Sequence, residues 1–102
     1  MKFAQIIDFE TDRIDEVREL LRGYEERARA QQRTGTPVGR TLLRDRAHPN
    51  RYLAVVEFDS PEAARANSDA AETNELAQAL AALMTRPAAY TDCDVVDRQS
   101  AG

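Results

Sequence analysis

Four short runs of alternating apolar and polar residues, interleaved with two long stretches of helical period, constrain the fold of this chain more than any other feature. The first run, KFAQIIDFE at 2–10, sets Phe3, Ile7 and Phe9 on one face and Ala4 and Ile6 on the other, which is the two-residue period of a strand. Thr11 and Asp12 then offer oxygens for a helix N-cap. Ile14, Val17, Leu21, Tyr24 and Ala28 recur at steps of three and four among Arg and Glu residues. That spacing predicts an amphipathic helix over 13–32, ending before the breaker cluster Thr34-Gly35-Thr36-Pro37. The segments 38–46 (VGRTLLRDR) and 51–59 (RYLAVVEFD) read as strands, joined into a hairpin by the turn signal Ala47-His48-Pro49-Asn50. Ser60-Pro61-Glu62 opens a second helical region, since Ser caps and Pro suits the first helical position. Leu76, Leu80 and Leu83 give that region an apolar stripe. Its polar middle, Asn67 to Asn74, competes for backbone hydrogen bonds and predicts a kink, with helical pieces over 60–68 and 72–84. Arg86-Pro87 stops the helix, 88–97 (AAYTDCDVVD) supplies a last strand, and 98–102 reads as a flexible tail.

The resulting order, strand-helix-strand-strand-helix-strand, predicts an α+β fold of the ferredoxin-like βαββαβ plan over residues 1–97. In it a four-stranded antiparallel sheet carries its helices on one face. The whole chain of 102 residues has the length of one domain. One pattern does not fit a sheet with a wet outer face, which would show polar residues at every second position. Tyr52, Ala54, Val56 and Phe58 point one way in the third strand, yet Leu53 and Val55 point the other. The simplest cover for that second apolar face is another copy, giving a twofold homodimer with sheets packed face to face. The alternative is a monomer with an apolar surface.

Composition removes several classes of function. With 14 basic and 18 acidic residues the net charge is −4, which argues against nucleic-acid binding. Cys93 is the only cysteine, so no intrachain disulfide forms and a thiol-compatible cytoplasm is expected. No apolar run reaches signal-peptide or membrane-span length. One histidine, His48, and one cysteine do not make an ordinary zinc or haem site. Gly23, Gly35, Gly39 and Gly102 never cluster into a phosphate loop. No cofactor and no metal are therefore expected, although a carboxylate-only Mg²⁺ or Ca²⁺ site stays open, with no Asp/Glu spacing like that of an EF-hand loop.

Two segments carry a resemblance: Val56-Glu57-Phe58-Asp59-Ser60-Pro61-Glu62-Ala63-Ala64, and the polar break from Ala66-Asn67-Ser68-Asp69 to Glu72-Thr73-Asn74-Glu75-Leu76. With the element order and length, they make residues 2–97 similar to the dimeric α/β-barrel superfamily, and within it to antibiotic biosynthesis monooxygenase-like (ABM-like) proteins. The resemblance implies a ligand pocket between sheet and helices in each subunit. It also implies one of two chemistries, oxygenation without metal or flavin or the degradation of haem. This chain has no tryptophan, frequent in the pockets of those enzymes, and carries Asn67 and Asn74 where relatives often have His in the break. Haem ligation is accordingly not expected of it.

Oxygenation without a cofactor needs an electron-rich substrate anion, a base, donors for a developing oxyanion and an apolar chamber. The candidate catalytic residues are Asn67 and Asn74, whose amides suit an oxyanion and whose spacing of seven aligns them on a straight helix. The competing reading is that both serve the helix break. Tyr24, Arg86 and Tyr90 are candidate pocket residues. Arg86 either pairs with an anionic ligand or caps helix carbonyls. Tyr24, Tyr90 and Tyr52 either turn a hydroxyl into the pocket or pack as core. His48 is expected to be an exposed turn residue and Cys93 a buried structural thiol. The mixed charges of the first helix read as a solvated face. Together these predict a homodimeric barrel for a small apolar or aromatic molecule, and the resemblance implies that it acts as a cofactor-independent monooxygenase on a polyketide-like substrate. A non-catalytic metabolite-binding or sensing barrel, or an isomerase or cyclase on the same fold, stays open beside it.

Overall fold

The computed structural model describes residues 2–33 and 35–100. Strand β1 (Phe3–Glu10) runs antiparallel between β3 (Arg51–Phe58) and β4 (Ala89–Asp94), and β2 (Gly39–Arg44) pairs with the outer edge of β3. The four-stranded order is β2-β3-β1-β4, as expected for a ferredoxin-like α+β domain. Helix α1 (Ile14–Ala30) links β1 to β2, and α2 (Pro61–Asp69) and α3 (Ala71–Ala81) link β3 to β4.

The register sets Phe3 opposite Phe58, Ile7 opposite Ala54 and Phe9 opposite Tyr52, so the face read from the alternation is the face that packs on the helices. Phe9 and Tyr52 stack with centroids 5.6 Å apart, and with Val17 and Ala54 they form the buried centre of the core. The opposite face presents Ile6, Leu53 and Val55, all half-buried, and Leu43, which is 45% exposed. Cys93 belongs to this second face, paired with Ala4, and is half-buried rather than buried, because no helix lies over it.

Ser60 caps α2 as expected, its Oγ accepting from the Ala63 amide at 3.1 Å. The kink is a full break: Ala70 is extended (φ −72, ψ 140), which ends α2 and starts α3. At the start of α1 the expected cap is not made. Thr11 is buried instead, its Oγ1 accepting from the Arg13 amide at 3.0 Å and donating to the Leu83 carbonyl at 2.6 Å. A tertiary acceptor outside the local sequence has taken the hydroxyl, and it ties the entry of α1 to the exit of α3.

At its other end α1 closes with two reversed hydrogen bonds, Gln32 N–H to the Arg29 carbonyl and Arg33 N–H to the Ala28 carbonyl, each at 3.2 Å. That closure requires a left-handed residue, and Gln32 occupies it at φ 52. A Cβ in that region is unfavourable, so Gln32→Gly is expected to raise stability by about 0.5–1 kcal/mol. An unchanged urea midpoint would show that the position carries no strain. Gly35 also has positive φ, 74°, and a Cβ there would meet the Ala63 carbonyl and the Ala66 side chain at 3.1 Å. The chain therefore turns at glycine directly beneath α2. Thr34 of the breaker cluster lies outside the described residues, as do residues 101–102 of the expected tail. Before that point the chain after β4 is held by the Val95 amide on the Lys2 carbonyl and by an Arg98–Glu57 ion pair.

Candidate functional site

The helix-facing side of the sheet and the undersides of α1, α2 and α3 enclose a chamber of about 880 Å³. Its walls follow from the two periodicities: Ile7, Phe9 and Val56 rise from the sheet at every second position, and Val17, Leu21 and Leu80 descend from the helices at helical spacing. The volume is that of sites for drug-sized molecules, and the lining is the mainly apolar surface such sites use.

One polar cluster interrupts it. Tyr24, buried on α1, accepts a hydrogen bond from Asn67 Nδ2 of α2 at 2.8 Å, and its hydroxyl lies 2.7 Å from Thr73 Oγ1 of α3. The Arg33 guanidinium sits 5.0 Å from the Tyr24 ring centroid and donates to Glu72 at 2.9 Å. Three helices thus converge on one phenol. The Asn67 amide keeps one N–H and its carbonyl oxygen beyond the bond to Tyr24.

Asn74 also lines the chamber, but the extended Ala70 removes the straight helix that would have aligned it with Asn67. Asn67 is half-buried and engaged, whereas Asn74 is exposed. Tyr90 faces the chamber from β4 and is 57% exposed, which puts it at the mouth. Tyr52 is core: its hydroxyl accepts from Arg44 Nε and Nη2 at 3.2 and 3.1 Å. His48 is exposed in the hairpin turn, away from the chamber, with Nδ1 3.3 Å from Asp45 Oδ2.

Arg86 borders the chamber, yet its guanidinium neither caps α3 nor is free for a ligand. It donates to Asp8 Oδ1 at 2.8 Å and lies 3.3 Å from Glu10 Oε1, both on the second face of the sheet. Arg51 completes this network by donating to both Asp8 oxygens at 3.1 and 2.7 Å and to Asp45 at 2.8 Å. The Arg51 bonds hold both Asp carboxyls below their ordinary range, Asp45 at about 2. This network stabilises the fold while its carboxylates are ionised, and protonation weakens it in strong acid.

Sequence reasoning missed two chamber residues with paired partners. Arg40 of β2 donates Nε and Nη2 to Glu25 of α1 at 2.5 and 3.2 Å, and both residues line the chamber. Residue parity was the available signal, because Arg40 shares the face of Leu42 in a strand whose pairing sets them opposite Val56 and Ala54. Among the described residues no group of three or more His, Cys, Asp and Glu side chains is placed to hold a metal ion. Among them, too, no helix is long and apolar enough to cross a membrane.

This chain shares its βαββαβ fold, a sheet with the helices on one face, with solved proteins described as antibiotic biosynthesis monooxygenases. It superposes with a TM-score of 0.76 on SnoaB, a cofactor-independent oxygenase from Streptomyces nogalater solved in a form with one asparagine replaced by alanine, at 21% identity over 95% of each chain. Rv0793 from Mycobacterium tuberculosis gives 0.68 at 17% identity, covering 98% of this chain and all of that one (100%). A further crystal structure of an antibiotic biosynthesis monooxygenase gives 0.69 at 20% identity over 95% of this chain. No family model matches the sequence, and no curated protein matches it.

Proposed function

We propose that the chain binds a small, flat, largely apolar molecule in the chamber and oxidises it with dioxygen, as a cofactor-independent monooxygenase. The observation that carries this reading is the Tyr24–Asn67–Thr73 cluster, a fixed polar point in a mainly apolar chamber. An anthrone or dihydroxy-aromatic supplies the electrons itself. Its enolate reduces O₂, one oxygen atom enters the ring as a carbonyl and the other leaves as water. The remaining Asn67 N–H is suited to donate to the enolate oxygen, and Tyr24 holds the amide in position for it. The same fold in SnoaB, a cofactor-independent oxygenase, supports the reading.

Oxygen uptake with anthrone tests it. Asn67→Ala is expected to lower the rate by about 10²-fold, as removal of one oxyanion donor does elsewhere. Asn74→Ala is expected to change it little and to unfold at the wild-type urea concentration, whereas Asn67→Ala, which loses its bond to Tyr24, should be less stable by about 1 kcal/mol and still folded under assay conditions. A second reading, a binding barrel without turnover, has its own support: among the described residues Glu25 is the only carboxylate lining the chamber, and it is committed to Arg40. Binding of anthrone without oxygen uptake would favour that reading.

We also read the second sheet face as the contact of a homodimer, and the cytoplasm as its compartment. The chain exposes 7079 Å², against roughly 5,800 Å² expected for a monomer of 11.4 kDa. That excess exceeds the roughly 800 Å² each partner contributes to a standard interface.

A further inference from the structure

Arg40 and Arg86 are the two arginines bordering the chamber, and they differ in what their guanidinium groups have left to give. Arg86 is spent, shared between Asp8, Glu10 and the Pro87 carbonyl. Arg40 meets Glu25 along one edge only, using Nε and one Nη2 hydrogen. The second edge, one Nη1 hydrogen beside the other Nη2 hydrogen, has no partner among the described residues. A guanidinium fork can bind two carboxylates at once, one on each edge.

The surroundings of that free edge are open and cationic. Beside the chamber lies a smaller cleft of about 350 Å³, and Tyr24, Glu25, Pro37 and Arg40 line both spaces. Arg29 lines the cleft as well, so two cations face one carboxylate there. The neighbouring Gly39 has nothing within 4 Å of where a Cβ would be, which leaves the approach over the edge strand clear. The Arg40 side chain is 26% exposed, enough shielding for a charge-assisted bond to keep some of its strength.

We infer that Arg40 is a specificity residue: its free edge takes a carboxylate carried by the ligand, so the molecule bound here is a flat apolar body with an anionic end. This rests on the reading of the chamber as a small-molecule site. The apolar body lies between sheet and helices, and the carboxylate sits where the chamber meets the cleft, beside Tyr24. Glu25 orients Arg40 from the other edge and also competes for it.

Titration calorimetry at pH 7 with naphthalene-2-carboxylate and its neutral isostere naphthalene-2-carboxamide tests this. The carboxylate is expected to bind about tenfold more tightly, the effect of one charge-assisted contact at a part-exposed site. In Arg40→Gln the preference should vanish, and a urea midpoint close to the wild type shows that the variant is folded. In Glu25→Gln carboxylate binding should strengthen and carboxamide binding stay unchanged, a response that a purely structural ion pair would not give. Equal affinity of the two probes for the wild type, or a preference that survives in Arg40→Gln, would overturn the subsite alone. Binding of neither probe would overturn the small-molecule reading and the subsite with it.

Discussion

Phe9→Ala is expected to remove about 3 kcal/mol or more of stability, the range for truncating a buried aromatic. Phe9 is 2% exposed on the central strand β1, where its ring stacks on Tyr52 and packs against Val17 of α1. Phe9 is one of the few buried side chains between the sheet and helix layers. A domain of this size has only about 5–15 kcal/mol to lose. The variant should therefore unfold at a markedly lower urea concentration and melt well below the wild type. Phe9 also lines the chamber, so its removal widens the ligand space at the same time. A loss under about 1 kcal/mol would show that the chamber wall collapses to fill the gap.

Val55→Lys is expected to change the mass of the particle rather than the stability of the fold. Val55 lies mid-strand on the second face, between Ile6 of β1 and Thr41 of β2. In an isolated subunit a lysine there reaches water along its own stem. Between two packed sheets it would be a desolvated charge without a partner, a cost of several kcal/mol. Native mass spectrometry should find the wild type near twice 11.4 kDa and the variant near 11.4 kDa. A wild-type protein already at the single mass would refute the homodimer.

The parts of the fold that were legible are those written in local pattern. Period two in 2–10 and 51–59 named both faces of β1 and β3, and Ser60-Pro61 marked the start of α2. What was not legible depends on partners far along the chain. Thr11 looks like a helix cap until the Leu83 carbonyl is brought to it. Arg86 reads as a ligand partner or a helix cap until folding sets it against Asp8, and nothing local to Arg40 signals that Glu25 comes beside it. The breaker cluster at 34–37 marked the end of α1 to within two residues, but the left-handed closure falls on Gln32 rather than a glycine and was not legible. Of the site, Asn67 and Tyr24 were each found singly, but the bond between them joins residues 43 positions apart, and no local pattern encodes it.

Helices α2 and α3 contain no buried residue, and they are separated by the extended Ala70. They are the roof of the chamber, held by the phenol of Tyr24, the Arg33–Glu72 pair, the Thr11–Leu83 bond and the packing of Leu80 on the core. Lifting such a roof breaks these few polar contacts and uncovers the apolar side of α3, a smaller loss than parting β1 from β3, which would unfold the molecule. The volume of the chamber is therefore a thermodynamic variable, set by the small free energy of raising two short helices. A ligand larger than the resting space gains entry at that cost, and it surrenders part of its binding energy to settle the helices over it again.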